Sequence, residues 1–251
     1  MKYAIYGNKT YHELIRNVLK HHEYDVLNPD FVFSCGGDGT VLRAVQEYLH
    51  CNPIFIGINV GKLGFYTDFE INEINDIISL IEKKAYKEEA YSLLDYQLIN
   101  DLETNNGFAL NELALISPVH THIIEVYIDG DHFETFRGTG FLVSTSTGST
   151  AYNKSCGGSV IDPKLEAMQL TEVASINNRI YKTIASPLIF SKNTIIELRA
   201  DFSKTYLSVD GIELAFKKIQ KIQFSISKQK ARFITRPNYD FWSRVKKSFL
   251  N

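Results

Sequence analysis

Residues 30–49 read DFVFSCGGDGTVLRAVQEYL, and no other stretch so narrows the folds open to this chain. A continuous apolar run, FVFSC, ends directly in a glycine turn, and a helical pattern starts directly after it. A strand without polar alternation is buried on both faces, which is the habit of a parallel sheet covered by helices. The surrounding sequence repeats this grammar. KYAIYG (2–7) and PIFIGI (53–58) are two further apolar runs of strand length. TYHELIRNVLKHH (10–22) places Leu14, Ile15, Val18 and Leu19 at helical spacing, and TVLRAVQEYL (40–49) and INEINDIISLIEKK (71–84) carry the same period. Strand and helix alternate three times, which predicts an α/β N-terminal domain.

The glycine turn itself, GGDGT (36–40), needs an explanation. Glycine loses the most conformational freedom on folding, so three in four positions must serve a purpose. A turn beyond the carboxyl end of a parallel strand is where α/β folds bind ligands. Backbone N–H groups there approach phosphate oxygens, and the following helix adds the positive end of its dipole. A carboxylate repels phosphate, so Asp38 is better read as the partner of a hydroxyl group or a metal. Together these features suggest phosphoryl transfer, with phosphate on the backbone and an acceptor hydroxyl on Asp38. The plainer alternative is a tight turn in which Asp38 caps the helix.

Beyond residue 92 the pattern changes to short β-type runs: YQLIND, FALNELALI, HIIEVYIDG, FLVSTS, TIIELRA, YLSVDGIELAF, KIQFSIS and ARFITR. Asn106-Gly107, Asp129-Gly130 and Asp210-Gly211 supply hairpin turn signals. PKLEAMQLTEVASI (163–176) reads as one helical interruption, with proline in the first turn. YDFWSRVKKSFL (239–250) is helical again, with Phe241, Trp242, Val245 and Phe249 on one face. The expected organisation is an α/β domain over 1–92 holding the GGDGT loop, and a mainly antiparallel, β-sandwich-like domain over 93–236. A terminal helix over 237–251 is expected to return to the first domain.

Composition excludes several classes. The 251 residues are 44% hydrophobic and 22% charged with a net charge of −2, which argues against a nucleic-acid binder. The ten Lys/Arg of residues 215–251, against the single acid Asp240, read as a solvated basic face. Cys35, Cys51 and Cys156 form no C-x-x-C, so neither a zinc site nor a disulfide frame is expected. Nothing approaches 18 consecutive apolar residues, so a cytoplasmic location without membrane contact is expected. GINVGKL (57–63) is too short for a phosphate-binding Walker loop and lacks Ser or Thr after Lys62. HELIR (12–16) has Arg16 where a zinc-protease helix needs histidine, and His120 and His122 lack a third metal ligand.

RGTGFLVSTSTGSTAYNKSCGGS (137–159) alternates glycines with small hydroxyl residues around one aromatic, Tyr152. Such a segment offers many hydrogen bonds with little bulk, as a polar ligand with several donors and acceptors requires.

GGDGT (36–40), GKLGFYTDF (61–69), LNE (110–112), FRGTG (136–140), STGSTAYNKS (146–155), EAMQLTEVASINNR (166–179) and SVDG (208–211) occur in this order, and together they resemble the NAD kinase family. The compact length and the FWSRV ending resemble the short enzymes of Gram-positive bacteria. The GGDGT loop alone is shared with lipid kinases of the diacylglycerol type, so a lipid kinase and a non-catalytic dinucleotide-binding module are the alternatives.

The resemblance implies transfer of phosphate from ATP to the adenosine-ribose 2′-hydroxyl of NAD, with a divalent metal (Mg²⁺) and Asp38 as the catalytic base. It places Gly39 in the same loop, Phe65 and Tyr66 beside the dinucleotide, and Asn111 and Glu112 at its ribose. It assigns NAD binding to Thr147, Thr150, Ala151, Tyr152, Asn153, Lys154 and Ser155. Arg137, Thr139, Ala174 and Asp210 are implied as further lining positions. NAD between two domains, and a homotetramer or dimer in which a neighbouring subunit completes the site, are also implied. Two positions depart from the family pattern. Thr139 stands where aspartate is usual, and Ser146 where proline is.

Overall fold

The computed structural model of the chain describes residues 1–61, 64–216 and 218–250, and these divide into two units. Unit 1 holds Met1–Tyr91 and the residues from Lys230 onward, and unit 2 holds Ser92–Gln229. Unit 1 begins with β1 (Lys2–Gly7), α1 (His12–Val18), β2 (Glu23–Tyr24) and β3 (Phe31–Cys35). It continues through α2 (Asp38–Tyr48), β4 (Ile54–Asn59), β5 (Phe69–Glu70) and α3 (Ile74–Glu82). The strands pair in the order β2-β1-β3-β4, all parallel, and β5 adds to the far end of β4.

The sheet is buried on both faces, as the apolar runs predict. Tyr3, Ile5, Phe33, Cys35, Ile54, Ile56 and Ile58 share one core with Ile15 and Leu19 and with Ile74, Ile77, Ile78 and Ile81 of α3. Their neighbours Ala4, Val32 and Phe55 are buried too. They face the side taken by α2, which packs against β1, β3 and β4 with Val41, Leu42 and Val45 inward. Burial pushes the Cys35 thiol up to about 12, so it acts as a small hydrophobe.

The chain leaves unit 1 along β6 (Lys87–Ile99) and builds unit 2 from β7 (Thr104–Ala109), β8 (Glu112–Ile116), β9 (His122–Ile128), β10 (Asp131–Gly138) and β11 (Gly140–Thr145). The short α4 (Tyr152–Ser155) precedes β12 (Ala167–Val173), β13 (Leu188–Ser191), β14 (Ile196–Arg199), β15 (Tyr206–Val209) and β16 (Ile212–Glu213). It returns along β17 (Lys221–Thr235) and ends in α5 (Phe241–Phe249). KIQFSIS and ARFITR are thus one strand. In unit 2, β17 pairs with β14, and in unit 1 its Arg232 and Phe233 pair in parallel with Ile54 and Phe55.

Within unit 2 one sheet contains β10-β9-β14-β17 with β6 and β7, and the other runs β13-β12-β11-β8-β15-β16. Between them lies a core with Leu94, Ile124, Phe136, Ile196 and Phe224 from the first sheet and Leu113, Phe141, Val143, Met168 and Leu207 from the second. This is the expected antiparallel sandwich, and α5 belongs to unit 1 as expected.

Two local expectations are corrected. Residues 163–176 contain strand β12, hydrogen-bonded to β11 and β13, and no helix. Met168 and Leu170 enter the core while Gln169 binds Ser159 and Thr171 binds Asn153. A period of two therefore overrides residues of high helix propensity. Asn106-Gly107 lies inside β7, where a Cβ on Gly107 would meet the Tyr96 hydroxyl at 2.2 Å. The turn falls at 100–103, where Asn100 Oδ1 accepts the N–H groups of Leu102 and Glu103. Asp129-Gly130 and Asp210-Gly211 do form hairpin turns, each residue at positive φ.

Candidate active site

In unit 1 the GGDGT turn leaves β3 and becomes α2 without a linker. Gly37 is the N-cap and Asp38 the first helical residue, where the helix dipole favours a carboxylate. Asp38 is held from across the turn as well. Its Oδ2 accepts the backbone N–H of Phe65 at 2.7 Å and its Oδ1 that of Tyr66 at 2.9 Å. Each oxygen keeps a further lone pair, so the side chain can still receive a proton or meet a cation. A Cβ on Gly37 or Gly39 would meet nothing within 4 Å, so the loop presents bare backbone on an open side.

The rings of Phe65 and Tyr66 each pack among other aromatic side chains. Phe65 packs 6.2 Å from Phe241 and 6.0 Å from Phe249. Tyr66 stacks on Phe233 at 5.6 Å and meets Tyr91 edge-on at 5.9 Å. Their N–H groups, not their rings, serve Asp38. Lys62 and Leu63 of the same segment lie outside the described residues.

Beside the glycine turn a pocket of about 650 Å³ is lined by Gly7, Asn8, Lys9, His12, Gly36, Thr40 and Arg43, among others. Two cations, Lys9 and Arg43, and one carboxylate, Glu47, thus line the same pocket as Gly36. Lys9 lies 27 residues before Gly36, and no local pattern marks it as a partner of the loop.

In unit 2, Asn111 lies in the tight connection from β7 to β8 and Glu112 opens β8. Asp210, at φ +51° in the β15–β16 hairpin, organises it. Its carboxylate accepts the N–H groups of Leu110 (2.9 Å), Asn111 (2.7 Å) and Glu112 (3.3 Å). The hydroxyl-rich segment stacks on this connection: Thr145 donates its hydroxyl to the Leu110 carbonyl at 2.6 Å and its N–H to that of Asn111. A Cβ on Gly148 would fall 2.1 Å from the Asn111 carbonyl oxygen, so only glycine permits this approach.

Glu112 and Asn153 are the informative members of this cluster. Glu112 is 7% exposed, and its carboxyl is pushed up to about 8, first by burial and then by the Asp210 carboxylate, against a hydrogen bond from the Tyr152 N–H. Its Oε2 is buried without a partner. Asn153 is fully buried and accepts from the Thr171 hydroxyl at 2.7 Å, while its Nδ2 has no partner. Two buried polar atoms left open in one polar cluster mark a place for a ligand with complementary groups. Tyr152, by contrast, is 43% exposed. Thr150 donates to the Thr147 carbonyl at 3.4 Å, Ala151 joins that turn to α4, and Lys154 and Ser155 complete α4 with their side chains outward.

Arg137, Thr139 and Ala174 form a separate group. Thr139 donates its N–H to the Val173 carbonyl, Ala174 sits at φ +48°, and the Arg137 guanidinium lies 4.0 Å over the Tyr181 ring. They stand at the start of β11 and the Thr147 cluster follows its end, roughly 20 Å away along a six-residue strand.

Among the described residues no three His, Cys, Asp or Glu side chains converge on one point. His122 is a structural residue, its ring against Phe202 and bonded to the Asp201 carbonyl. No described helix is long and apolar enough to cross a membrane.

Comparison with known proteins gives one answer over both units. The ATP-NAD kinase N-terminal domain family matches residues 4–86, and the ATP-NAD kinase C-terminal domain family matches residues 110–236. NAD kinase 1 of Listeria monocytogenes serotype 4b is 41% identical over 233 residues, 91% of this chain and 88% of that one. NAD kinase of Leuconostoc citreum is 37% identical over 261 residues, 100% of this chain and 98% of that one. A crystal structure of an NAD kinase from Archaeoglobus fulgidus in complex with ATP superposes with a TM-score of 0.77 at 28% identity, covering 94% of each chain. Yeast NADH kinase complexed with NADH shares the fold, with a TM-score of 0.83 over all of this chain and 87% of that one, at 20% identity. With both of its family domains matched in order and close relatives along its whole length, this chain belongs to the ATP-NAD kinase family.

Proposed function

We infer that the protein is an NAD kinase, which transfers the γ-phosphate of ATP to the 2′-hydroxyl of the adenosine ribose of NAD and gives NADP and ADP. The observation that carries this reading is Asp38, oriented by two backbone N–H groups on an open glycine turn that heads a helix. The ribose hydroxyl oxygen forms the new bond to phosphorus, the bond to the β-phosphate bridging oxygen breaks, and Asp38 takes the hydroxyl proton. A loose phosphoryl transition state needs position and charge neutralisation more than covalent help. Lys9, Arg43 and the open N–H groups of the loop are suited to hold the donor phosphates. A magnesium ion typically needs only one or two carboxylates besides the phosphates, and the free lone pairs of Asp38 fit that demand. When bound, it would neutralise charge building on the transferred group.

Unit 2 supplies the dinucleotide-binding segment. Glu112 Oε2 and Asn153 Nδ2 are the open polar atoms for NAD, and the exposed Tyr152 ring offers a stacking face. Arg137 and Thr139, at the other end of β11, would complete the site of a second copy in a dimer or tetramer. The lipid-kinase alternative, which rested on the GGDGT loop, loses its ground because residues 110–236 match the NAD kinase C-terminal family as well.

The test is direct. Purified protein with ATP, Mg²⁺ and NAD should form a product that an NADP-specific dehydrogenase reduces. Asp38→Asn, which keeps size but removes the proton acceptor, should lower turnover by roughly 10²–10⁴-fold with NAD binding within a few-fold. Equal losses of binding and turnover would make Asp38 a structural cap.

A further inference from the structure

α5 buries Phe241 and, one turn on, sets the Arg244 guanidinium against the backbone of unit 1. It is 9% exposed, and its partner Asp68 is 6% exposed. Its Nη1 donates to the Gly64 carbonyl at 2.7 Å and to the Phe65 carbonyl at 3.1 Å, and its Nη2 pairs with Asp68 Oδ1. Asp68 is fixed in turn: its Oδ2 accepts the Arg236 N–H at 2.5 Å, and the Arg236 guanidinium binds the Asp68 carbonyl at 2.9 Å and Glu73. The segment that Arg244 grips by its carbonyls is the one that grips Asp38 by its N–H groups. Peptide 64–65 thus has its carbonyl bound by the guanidinium and its N–H bonded to the carboxylate, and peptide 65–66 is held in the same way.

We propose that Arg244 is a positioning residue for phosphoryl transfer, acting on Asp38 through the 64–66 backbone. The proposal rests on the reading of Asp38 as the base. Without the guanidinium, the peptide planes at 64–65 lose their outer anchor, and the carbonyls that Arg244 binds are released to rotate. Their N–H groups then cease to fix the two Asp38 oxygens. A planar fork suits this task, since it meets two carbonyls and one carboxylate at once, which a lysine ammonium on a single point does not. Arg244 touches neither nucleotide nor reacting atom in this scheme, so substrate binding is left largely in place.

The full-length chain carries the test. Arg244→Ala should lower kcat at least 30-fold while KM for NAD and ATP changes less than threefold, and Arg244→Lys should fall between it and the parent. Methylguanidinium at millimolar concentration should restore part of the Arg244→Ala turnover. Amide exchange at Phe65 and Tyr66 should speed up at least tenfold, with core amides such as Phe33 unchanged. Should Arg244→Ala fail to fold, Arg244→Lys and Asp68→Asn carry the same readouts. Coupling is read in the Asp38→Asn background, where Arg244→Ala should remove less than a further threefold. Full independent losses in the double variant, or unchanged kcat in Arg244→Ala, overturn the proposal. Parent-like turnover of Asp38→Asn overturns instead the reading of Asp38 as the base, whatever Arg244 does to amide exchange.

Discussion

A Cβ built on Gly64 would lie 2.1 Å from Asp38 Oδ1, so residue 64 has no room for a side chain while the carboxylate keeps its place. Backbone and carboxylate are in contact here. Gly64→Ala must displace one of them by close to an ångström, a scale at which catalytic geometry loses roughly 10²-fold. Turnover should fall by about that factor with KM for NAD within a few-fold, as steady-state kinetics would show. Parent-like turnover would mean that Asp38 tolerates displacement.

Glu112 sets a pH dependence of stability. Its folded carboxyl sits at about 8, well above the ordinary value, because burial and Asp210 both disfavour the anion. The folded state therefore holds the proton more tightly than the unfolded chain. That contribution is whole below the unfolded pKa and is lost as pH rises through 8. Glu112→Gln should be insensitive to this loss. Its stability relative to the parent should rise by on the order of a few kcal/mol between pH 5 and pH 8.5, as urea unfolding would measure. A difference that does not change with pH would place Glu112 among ordinary carboxylates.

Asp210 anchors three consecutive N–H groups. In Asp210→Asn an amide N–H₂ must face one of them, at a cost of about 1.5–3 kcal/mol for a lost charged acceptor. The melting temperature should drop by several degrees, and KM for NAD should rise because Asn111 and Glu112 lose their frame. Unchanged melting would show that the connection holds without the carboxylate.

Tyr152 is exposed, and its truncation removes little packing. Tyr152→Ala should leave unfolding within about 0.5 kcal/mol and raise KM for NAD with turnover little altered. Asn111→Ala should act in the same direction. Unchanged NAD affinity in both variants would remove them from the site.

Thr139 is held by its backbone to Val173 and Ser117. Thr139→Asp places a carboxylate at this position and should tighten NAD by about 0.5–1.5 kcal/mol with turnover unchanged. Titration calorimetry decides. Equal affinity would mean that residue 139 only shapes the turn between Gly138 and Gly140.

The parts of this fold that local chemistry dictates were readable in advance. β1, β3 and β4 show as unbroken apolar runs because they are buried on both faces, and the GGDGT turn follows from the strand that feeds it. β12 reads as a helix because Ala167, Met168, Gln169 and Leu170 suit one, and only hydrogen bonds to β11 and β13 make it a strand. The site was legible where its residues are contiguous, as from Thr147 to Ser155. It was not legible where partners are remote: Arg244 meets Gly64 across 180 positions, and Asp210 meets Leu110 across 100. No periodicity records such pairs.

Unit 1 is written in two pieces, with all of Ser92–Gln229 between them. During synthesis the first 91 residues emerge without the strand end that pairs with Ile54 and Phe55 and without the helix that grips Gly64 and Phe65. At roughly 5–20 residues per second, the sandwich has on the order of ten seconds to fold before those pieces appear. The strands of the sandwich are therefore made before the helix that holds the 64–65 carbonyls. A fragment ending before Lys230 therefore lacks both the strand end beside Ile54 and the helix behind Gly64.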